Sequence, residues 1–125
     1  MNIKFYVDTR KFVESLRYTF KVFHGNNYNR PEYRKLLHSY KDLYGASCKS
    51  TGNIKINLPL IYKDRKYNLI HSIYSTIMHE CLHSAIRNEV EDDITQHCII
   101  YDIENALFPG TVCKKTIDWY FIKDW

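Results

Sequence analysis

The chain has 125 residues, of which 45% are hydrophobic and 26% charged, and its mean hydropathy is −0.45. These values are typical of a globular protein, and we expect a single compact domain over residues 1–125. No apolar run approaches the roughly 18 residues that span a membrane, and residues 1–8 lack the apolar stretch of a signal peptide. We therefore expect a cytoplasmic, monomeric protein that does not contact a membrane.

The net charge of +4 is unevenly distributed along the chain. Residues 1–66 carry 14 Lys and Arg against 5 Asp and Glu, whereas residues 67–125 carry 4 against 9. A basic half and an acidic half in one small protein indicate a functional site or a charged partner surface. In the basic half, the cations alternate with tyrosines at Tyr18, Tyr28, Tyr33, Tyr40 and Tyr44. This pattern suits the binding of a phosphate backbone with stacking on bases, although a solvated helix face is the usual explanation of such charges.

The first predicted helix begins at Asp8–Thr9, which can cap it, and ends at His24 before Gly25. Pro31 suits the first turn of a second helix, which covers residues 32–44 and ends at Gly45. The apolar face of the first helix repeats at intervals of three and four residues and consists of Phe12, Val13, Leu16, Phe20 and Phe23.

The run at residues 53–58 alternates polar and apolar side chains, which predicts a strand with one buried face. Pro59 ends this strand or places it at a sheet edge, and residues 63–66 form a polar loop. A long helix is predicted for residues 67–87 and another for residues 91–108, whose acidic start suits a helix N-terminus.

Pro109–Gly110 is a predicted turn, and Thr111–Trp125 is either a strand or a packed extended segment. The expected fold class is therefore α+β, mainly helical with a small sheet. The four cysteines stand singly at positions 48, 81, 98 and 113, so we expect reduced thiols rather than disulfides.

The long predicted helix contains His79–Glu80–Cys81–Leu82–His83, which reads H-E-x-x-H. Residues four apart lie on one face of a helix, so both imidazoles can bind a single zinc ion. Glu80 can then lean over the open position of the metal and take a proton from a water molecule. The motif therefore predicts a catalytic zinc site, with two metal-free histidines as the alternative.

A third zinc ligand is needed, and the metzincin spacing does not supply it because Ile86 and Glu89 stand where that pattern has Gly and His. An inner face through Ile94, Cys98, Tyr101 and Asn105 extends back one turn to Glu91, which makes Glu91 the favoured ligand. The other candidates are Glu89, Asp92, Asp93, His97 and Glu104, and the carboxylates among them can also form a solvated helix turn.

These residues resemble minimal zincin metallopeptidases of the gluzincin kind, including the minigluzincins. The resemblance covers residues 52–108, with Gly52–Asn57 as the upstream strand, Thr76–Ala85 as the active-site helix and the segment from Glu91 as the glutamate helix. It implies that His79, His83 and a downstream Glu hold zinc, that Glu80 is the base, and that the strand binds a peptide by edge pairing. The usual gluzincin glutamate lies further along the chain than Glu91 does.

The resemblance implies a zinc-dependent metallopeptidase, active or latent, that acts on a peptide or protein. Ile54 and Ile56 of the strand are candidates for substrate binding, and Tyr101 is a candidate donor to the oxyanion, as are His97, Tyr40 and Tyr120. SprT-like proteases share the first motif, so a nucleic-acid-associated protease or a DNA-binding module using the basic half is one alternative. A catalytically silent zinc-binding scaffold is the other.

Overall fold

The computed structural model describes residues 1–107, so the predicted turn at Pro109–Gly110 and the predicted strand or segment at Thr111–Trp125 lie outside the described residues. Within residues 1–107 the chain forms a small three-stranded sheet and a larger helical part, which confirms the α+β class. The strands are β1 Ile3–Tyr6, β2 Gly45–Ser47 and β3 Ile54–Asn57, and the helices are α1 Thr9–His24, α2 Arg34–Ser39, α3 Leu58–Arg65, α4 Leu69–Ile86 and α5 Asp93–Leu107.

The sheet has the order β1-β3-β2, with β1 parallel and β2 antiparallel to the central strand β3. Ile3 pairs with Ile54 in the parallel ladder, and Ser47 pairs with the same residue in the antiparallel one. The strand predicted at residues 53–58 is confirmed, but the sequence reasoning missed both of its neighbours. Because β3 is flanked on both sides, it has no free edge, and edge pairing of a peptide with β3 is excluded.

The two faces of the sheet carry different helices. Lys55 Nζ donates to the Ser15 carbonyl at 3.4 Å and to Thr19 Oγ1 at 3.3 Å, which places α1 on one face. Alternation along the strand turns Ile54 and Ile56 to the other face, where α4 packs. The sheet therefore separates α1 from α4.

Helix α1 follows its predicted pattern. Asp8 caps it by accepting a hydrogen bond from the Arg10 amide at 2.9 Å, and Gly25 ends it with a φ of 58°. Phe12, Leu16 and Phe20 are all fully buried in the core, as their helical spacing predicts. Of the predicted apolar face, Phe23 departs most: it lies in the last turn and is 64% exposed.

Two segments between α1 and α4 differ from prediction. The predicted helix at residues 32–44 is shorter, because 3₁₀ turns occupy residues 31–33 and 40–42 on either side of α2. Pro59 does follow the end of a strand, but it lies in the first turn of α3, so the predicted polar loop at residues 63–66 is mostly helical. Proline suits the first helical turn because its missing N–H has no intrahelical acceptor there.

The hairpin of β2 and β3 fixes the position of α4. Gly52 in its turn has a φ of 73°, and a Cβ there would lie 2.7 Å from Ser84 Oγ. Ser84 Oγ instead donates to the Gly52 carbonyl at 2.8 Å. A second close approach is at Gly45, where a Cβ would lie 3.2 Å from Thr76. The sheet therefore holds both ends of the segment that contains the histidine motif.

Helices α4 and α5 pack antiparallel, because residue 79 contacts residue 104 whereas residue 83 contacts residue 96. Both were predicted from sequence and are confirmed as helices. Within residues 1–107, no helix combines the length and the hydropathy needed to cross a membrane. Cys48, Cys81 and Cys98 are free thiols, as expected, and Cys113 lies outside the described residues.

Candidate metal centre

Helix α4 places the two histidines of the motif on one buried face. His79 is 1% exposed and His83 9% exposed, which is unusual for polar side chains in a chain of this size. Their Nε2 atoms are 3.2 Å apart. The spacing of four residues therefore does what the motif predicts, since both rings point to a common position.

Helix α5 adds a third buried histidine to this position. The ring centroid of His97 lies 4.6 Å from that of His83 and 5.6 Å from that of His79. One nitrogen from each ring can be chosen so that all three lie within 4.8 Å of one another. The three histidines therefore form a buried cluster that can bind a metal ion.

Each of the three rings uses Nδ1 for a hydrogen bond inside the protein. His97 Nδ1 donates to the Asp93 carbonyl at 2.8 Å, so this nitrogen carries the proton. His83 Nδ1 donates to Gln96 Oε1 at 2.8 Å, because the Gln96 amide nitrogen is itself directed at the Val90 carbonyl. His79 Nδ1 contacts Glu104 Oε1.

These contacts decide the tautomer of two of the histidines. A neutral imidazole that is protonated at Nδ1 has its lone pair on Nε2, as in His83 and His97. The tautomer of His79 depends on whether the Glu104 carboxyl group donates or accepts, and its Nε2 lies 3.2 Å from that of His83. The hydrogen bonds around the cluster thus orient it as a set of metal ligands.

Burial keeps the imidazoles neutral, as metal ligands must be. Desolvation, and next to it the proximity of His97, lowers the pKa of His79 well below its usual value. Desolvation and the neighbouring His79 lower the pKa of His83 to about 3. At neutral pH both rings are therefore neutral, and each has one nitrogen with a lone pair that can bind a metal.

Glu80 is buried beside the cluster and is 1% exposed. The Ser47 hydroxyl of β2 hydrogen-bonds to its carboxyl group, whereas Oε1 has no hydrogen-bond partner within residues 1–107. Burial raises the pKa of Glu80 to about 8, and the nearby Glu104 and Asp93 act in the same direction. The ionised form of Glu80 is therefore disfavoured unless a positive charge lies nearby.

Glu104 is the second buried carboxyl group at the cluster. It is 4% exposed, and burial raises its pKa to about 7, although His97 opposes this shift. Its carboxyl group contacts Nδ1 of His79. Three buried carboxyl groups, those of Glu80, Glu104 and Asp93, therefore lie beside the three histidines.

The favoured third ligand, Glu91, does not reach this cluster. Its side chain is exposed in the connection before α5, and its carbonyl accepts a hydrogen bond from Lys49 Nζ at 3.4 Å. Glu89 and Asp92 are also exposed, while Asp93 is buried, with Oδ2 3.5 Å from His97 Nδ1. Of the named candidates, only His97 joins both motif histidines.

The reason for this difference is the rotation of α5 about its axis. Ile94, Cys98 and Asn105, which the sequence reasoning turned inward, are exposed. The inward face is instead mostly polar and consists of Asp93, Gln96, His97, Ile100 and Glu104. Apolar residues mark the inner face of a helix only where that helix packs on an apolar core, and α5 packs on a polar site.

The residues predicted for substrate contact lie at different depths. Ile54 is 1% exposed and Ile56 fully buried, so both belong to the core rather than to a substrate surface. Tyr101 is partly buried, with its ring centroid 6.3 Å from that of His97. Tyr40 is fully buried in the core, and Tyr120 lies outside the described residues.

Two residues at the site were missed by the sequence reasoning, namely Gln96 and Ser47. Gln96 had a signal in the sequence, because polar residues at positions 93, 96, 97 and 104 repeat with helical spacing and form one stripe. Ser47 had none, since its role depends on the pairing of β2 with β3, which brings together residues distant from α4 in the chain.

Comparison of this chain with models of known protein families, with curated proteins and with solved structures finds no match. The cluster geometry therefore carries the functional argument alone. This geometry is a buried cluster of three histidines with three buried acidic residues, Glu80, Asp93 and Glu104, around it.

Proposed function

We propose that this protein is a zinc-dependent metallopeptidase in which His79, His83 and His97 bind the metal and Glu80 is the general base. The observation that carries the proposal is the convergence of three buried histidine nitrogens within 4.8 Å. Beside them lies the buried carboxyl group of Glu80, whose Oε1 has no hydrogen-bond partner within residues 1–107. Three protein ligands with one position left open are typical of catalytic zinc sites.

The donor set fits zinc in chemistry and in spacing. Two nitrogens that bind one tetrahedral zinc ion, each about 2.05 Å from it, are separated by about 3.3 Å. The Nε2 atoms of His79 and His83 are 3.2 Å apart, and the whole set lies within 4.8 Å.

The charge of the cluster supports a divalent cation as well. Glu80 and Glu104 are both buried carboxyl groups with raised pKa values, which means that they are poorly compensated in the metal-free protein. A bound dication would favour their ionised forms, and two carboxylates would balance its charge. A site of three neutral histidines alone would leave that charge buried and uncompensated.

A zinc ion held by His79, His83 and His97 would supply a Lewis acid for the peptide carbonyl and would lower the pKa of a water molecule. Glu80 accepts the proton of that water at its carboxyl group and delivers it to the leaving amine. Ser47 holds the carboxyl group in place, and Glu104 keeps the ring of His79 turned to the metal. Gln96 does the same for His83.

The substrate edge proposed here is β2 rather than β3. Among the described strands, β2 is an edge strand, and its last residue, Ser47, contacts the base. An extended peptide that adds to this edge would pass beside Glu80, with backbone hydrogen bonds supplying affinity. A peptide would thus pair with the edge of β2, the neighbour of β3.

The test is peptide hydrolysis by the zinc-loaded full chain, with Glu80→Gln as the variant. Hydrolysis of a fluorogenic peptide library is expected to fall by about 10²- to 10⁴-fold, since general acid–base catalysis contributes that much. Zinc content should stay at one equivalent per chain, because Glu80 is not a ligand. Glu89→Gln is the matched control, and its exposed side chain should leave the rate unchanged.

Two results would contradict the proposal. Parent-like hydrolysis by Glu80→Gln would remove Glu80 from the role of base. A parent protein that holds one zinc ion but cleaves no peptide of the library would favour a zinc-binding scaffold without catalytic activity.

A further inference from the structure

The outer face of α1 carries a dense group of cations that the metal site does not use. Arg10, Lys11, Arg17 and Lys21 are all exposed on this helix, and Glu14 is its one acidic residue. We call these four cations the basic face. Over the twelve residues from Arg10 to Lys21, the helix rises about 16 Å, so the basic face is an elongated strip.

The cations of the basic face are not held in close ion pairs in the described part of the chain, although Glu14 lies among them. None of its four cations forms an ion pair with a carboxylate of residues 1–107. Arg17 instead reaches the Leu37 carbonyl of α2 at 3.4 Å, and Lys21 Nζ lies 4.8 Å from the ring centre of Tyr28. The adjoining α2 begins with two more exposed cations, Arg34 and Lys35. A surface of this kind attracts a polyanion.

One aromatic side chain, Tyr18, interrupts the strip of cations. It is 70% exposed and lies on the same side of α1 as Lys21, three residues on, and Glu14, four residues back. An exposed ring between cations is the arrangement that binds single strands, since the ring stacks on a base while the cations contact phosphates.

An anionic membrane fits this face less well. A helix that lies in a membrane surface inserts an apolar stripe between the lipids. The apolar stripe of α1 is Phe12, Leu16 and Phe20, and all three are buried in the core of the protein. The exposed apolar side chains of α1, Tyr18, Val22 and Phe23, are confined to its last two turns, so the helix offers a membrane no apolar face along its length.

We infer that the basic face of α1, with Tyr18, binds single-stranded nucleic acid through its phosphates and bases. The inference does not depend on the proposed peptidase activity, because α1 and α4 lie on opposite faces of the sheet. Occupation of the basic face leaves the metal centre accessible. The protein can consequently be held on a nucleic acid while its metal site acts elsewhere.

The experiment measures binding of the full chain to a fluorescein-labelled 20-nucleotide oligothymidylate by anisotropy, over a range of salt concentrations. The variant is the triple change Lys11→Gln, Arg17→Gln and Lys21→Gln. Loss of three phosphate contacts should weaken binding by about a hundredfold at 0.1 M salt and reduce the salt slope by about 2.

The matched control is the triple change Lys63→Gln, Arg65→Gln and Lys66→Gln. It also removes three positive charges, but at the end of α3 and in the turn after it. It should bind nearly as tightly as the parent. Circular dichroism melts of both variants ensure that a loss of binding is not a loss of folding. Peptide hydrolysis and zinc content should be the same in both variants as in the parent.

Tyr18→Ala tests the stacking contribution separately, with Tyr18→Phe as its conservative control. We expect Tyr18→Ala to weaken binding about 5- to 150-fold and Tyr18→Phe to bind like the parent. A duplex of the same length should bind more weakly than the single strand. Oligouridylate, compared with oligothymidylate, shows whether RNA or DNA is preferred.

Several results would overturn the inference. These are no binding by the parent at 50 mM salt, equal losses in the two triple variants, and binding of anionic phosphatidylserine vesicles in place of oligonucleotide. Heparin binding of equal strength, together with no effect of Tyr18→Ala, would equally reject nucleic acid as the specific partner.

Discussion

Helices α1 and α5 both pack against the body of the protein, but they bury opposite kinds of side chain. The buried residues of α1 are three apolar ones, Phe12, Leu16 and Phe20. Those of α5 include Asp93, His97 and Glu104, and just one apolar residue, Ile100. A buried apolar stripe stabilises a fold, whereas a buried polar stripe destabilises it unless its groups are hydrogen-bonded or bind a ligand. Helix α1 thus contributes apolar burial to the core, whereas α5 contributes the third histidine of the cluster that can bind a metal ion.

The largest effect on stability is expected in α1. Phe12→Ala removes a fully buried ring, packed edge-on against Tyr6 at 5.7 Å between ring centres, and should cost about 3–5 kcal/mol of unfolding free energy. Urea denaturation measures this loss. Metal affinity of the remaining folded protein should be unchanged, and a variant that also lost its metal would show that the two helices are not separate in role.

Removal of the metal should lower the stability of the protein through the histidine cluster that α5 completes. With free zinc at 100 times its dissociation constant, binding to the folded state adds about 2.7 kcal/mol to the unfolding free energy. A chelator should therefore lower the stability of the parent and of Phe12→Ala by the same amount. His97→Ala should show no dependence on the chelator, and an equal dependence would exclude His97 from the metal site.

A smaller effect, on zinc affinity, is expected from Glu104, which contacts Nδ1 of His79. Glu104→Gln weakens the contact that orients the His79 ring and should lower zinc affinity about 10- to 100-fold. Asp102→Asn is the matched change on the exposed side of the same helix and should have no effect. Competition with a zinc-sensitive dye measures both. Equal affinities in the two variants would argue that Glu104 is not a positioning residue.

The smallest effects on stability are expected at Ile94 and Cys98 of α5. The sequence pattern predicts these residues to face inward, but they are exposed. Ile94 is 67% exposed and Cys98 is exposed, so Ile94→Ala and Cys98→Ser should each change stability by less than about 0.5 kcal/mol. If α5 were rotated as its apolar residues suggest, Ile94→Ala would instead cost about 2–5 kcal/mol. Urea denaturation of the two variants therefore reports on the rotation of the helix.

What the sequence predicts correctly here is what depends on local pattern. The 3.6-residue period of Phe12, Leu16 and Phe20 defines α1, and the spacing of His79 and His83 places both on one helix face. The alternation at residues 53–58 likewise defines β3. In each of these cases, the residues that carry the signal are neighbours in the chain.

What the sequence does not predict depends on pairing between distant segments. Strand β1 has only four residues and pairs with β3 some fifty residues away, and β2 begins at Gly45, which reads as a helix stop. For this reason β3 was mistaken for an edge strand. Glu91 was favoured as a ligand for a related reason, since the rotation of α5 follows the polar site on α4 rather than its own apolar residues.

The central claim is that α5 completes the metal site with His97. Zinc content of the purified full chain, measured by mass spectrometry after dialysis, tests it most directly in His97→Ala and Glu91→Ala. We predict one equivalent of zinc in the parent and in Glu91→Ala, and a large loss in His97→Ala. Retention of zinc by His97→Ala, with its loss from Glu91→Ala, would contradict the structure of the site described here.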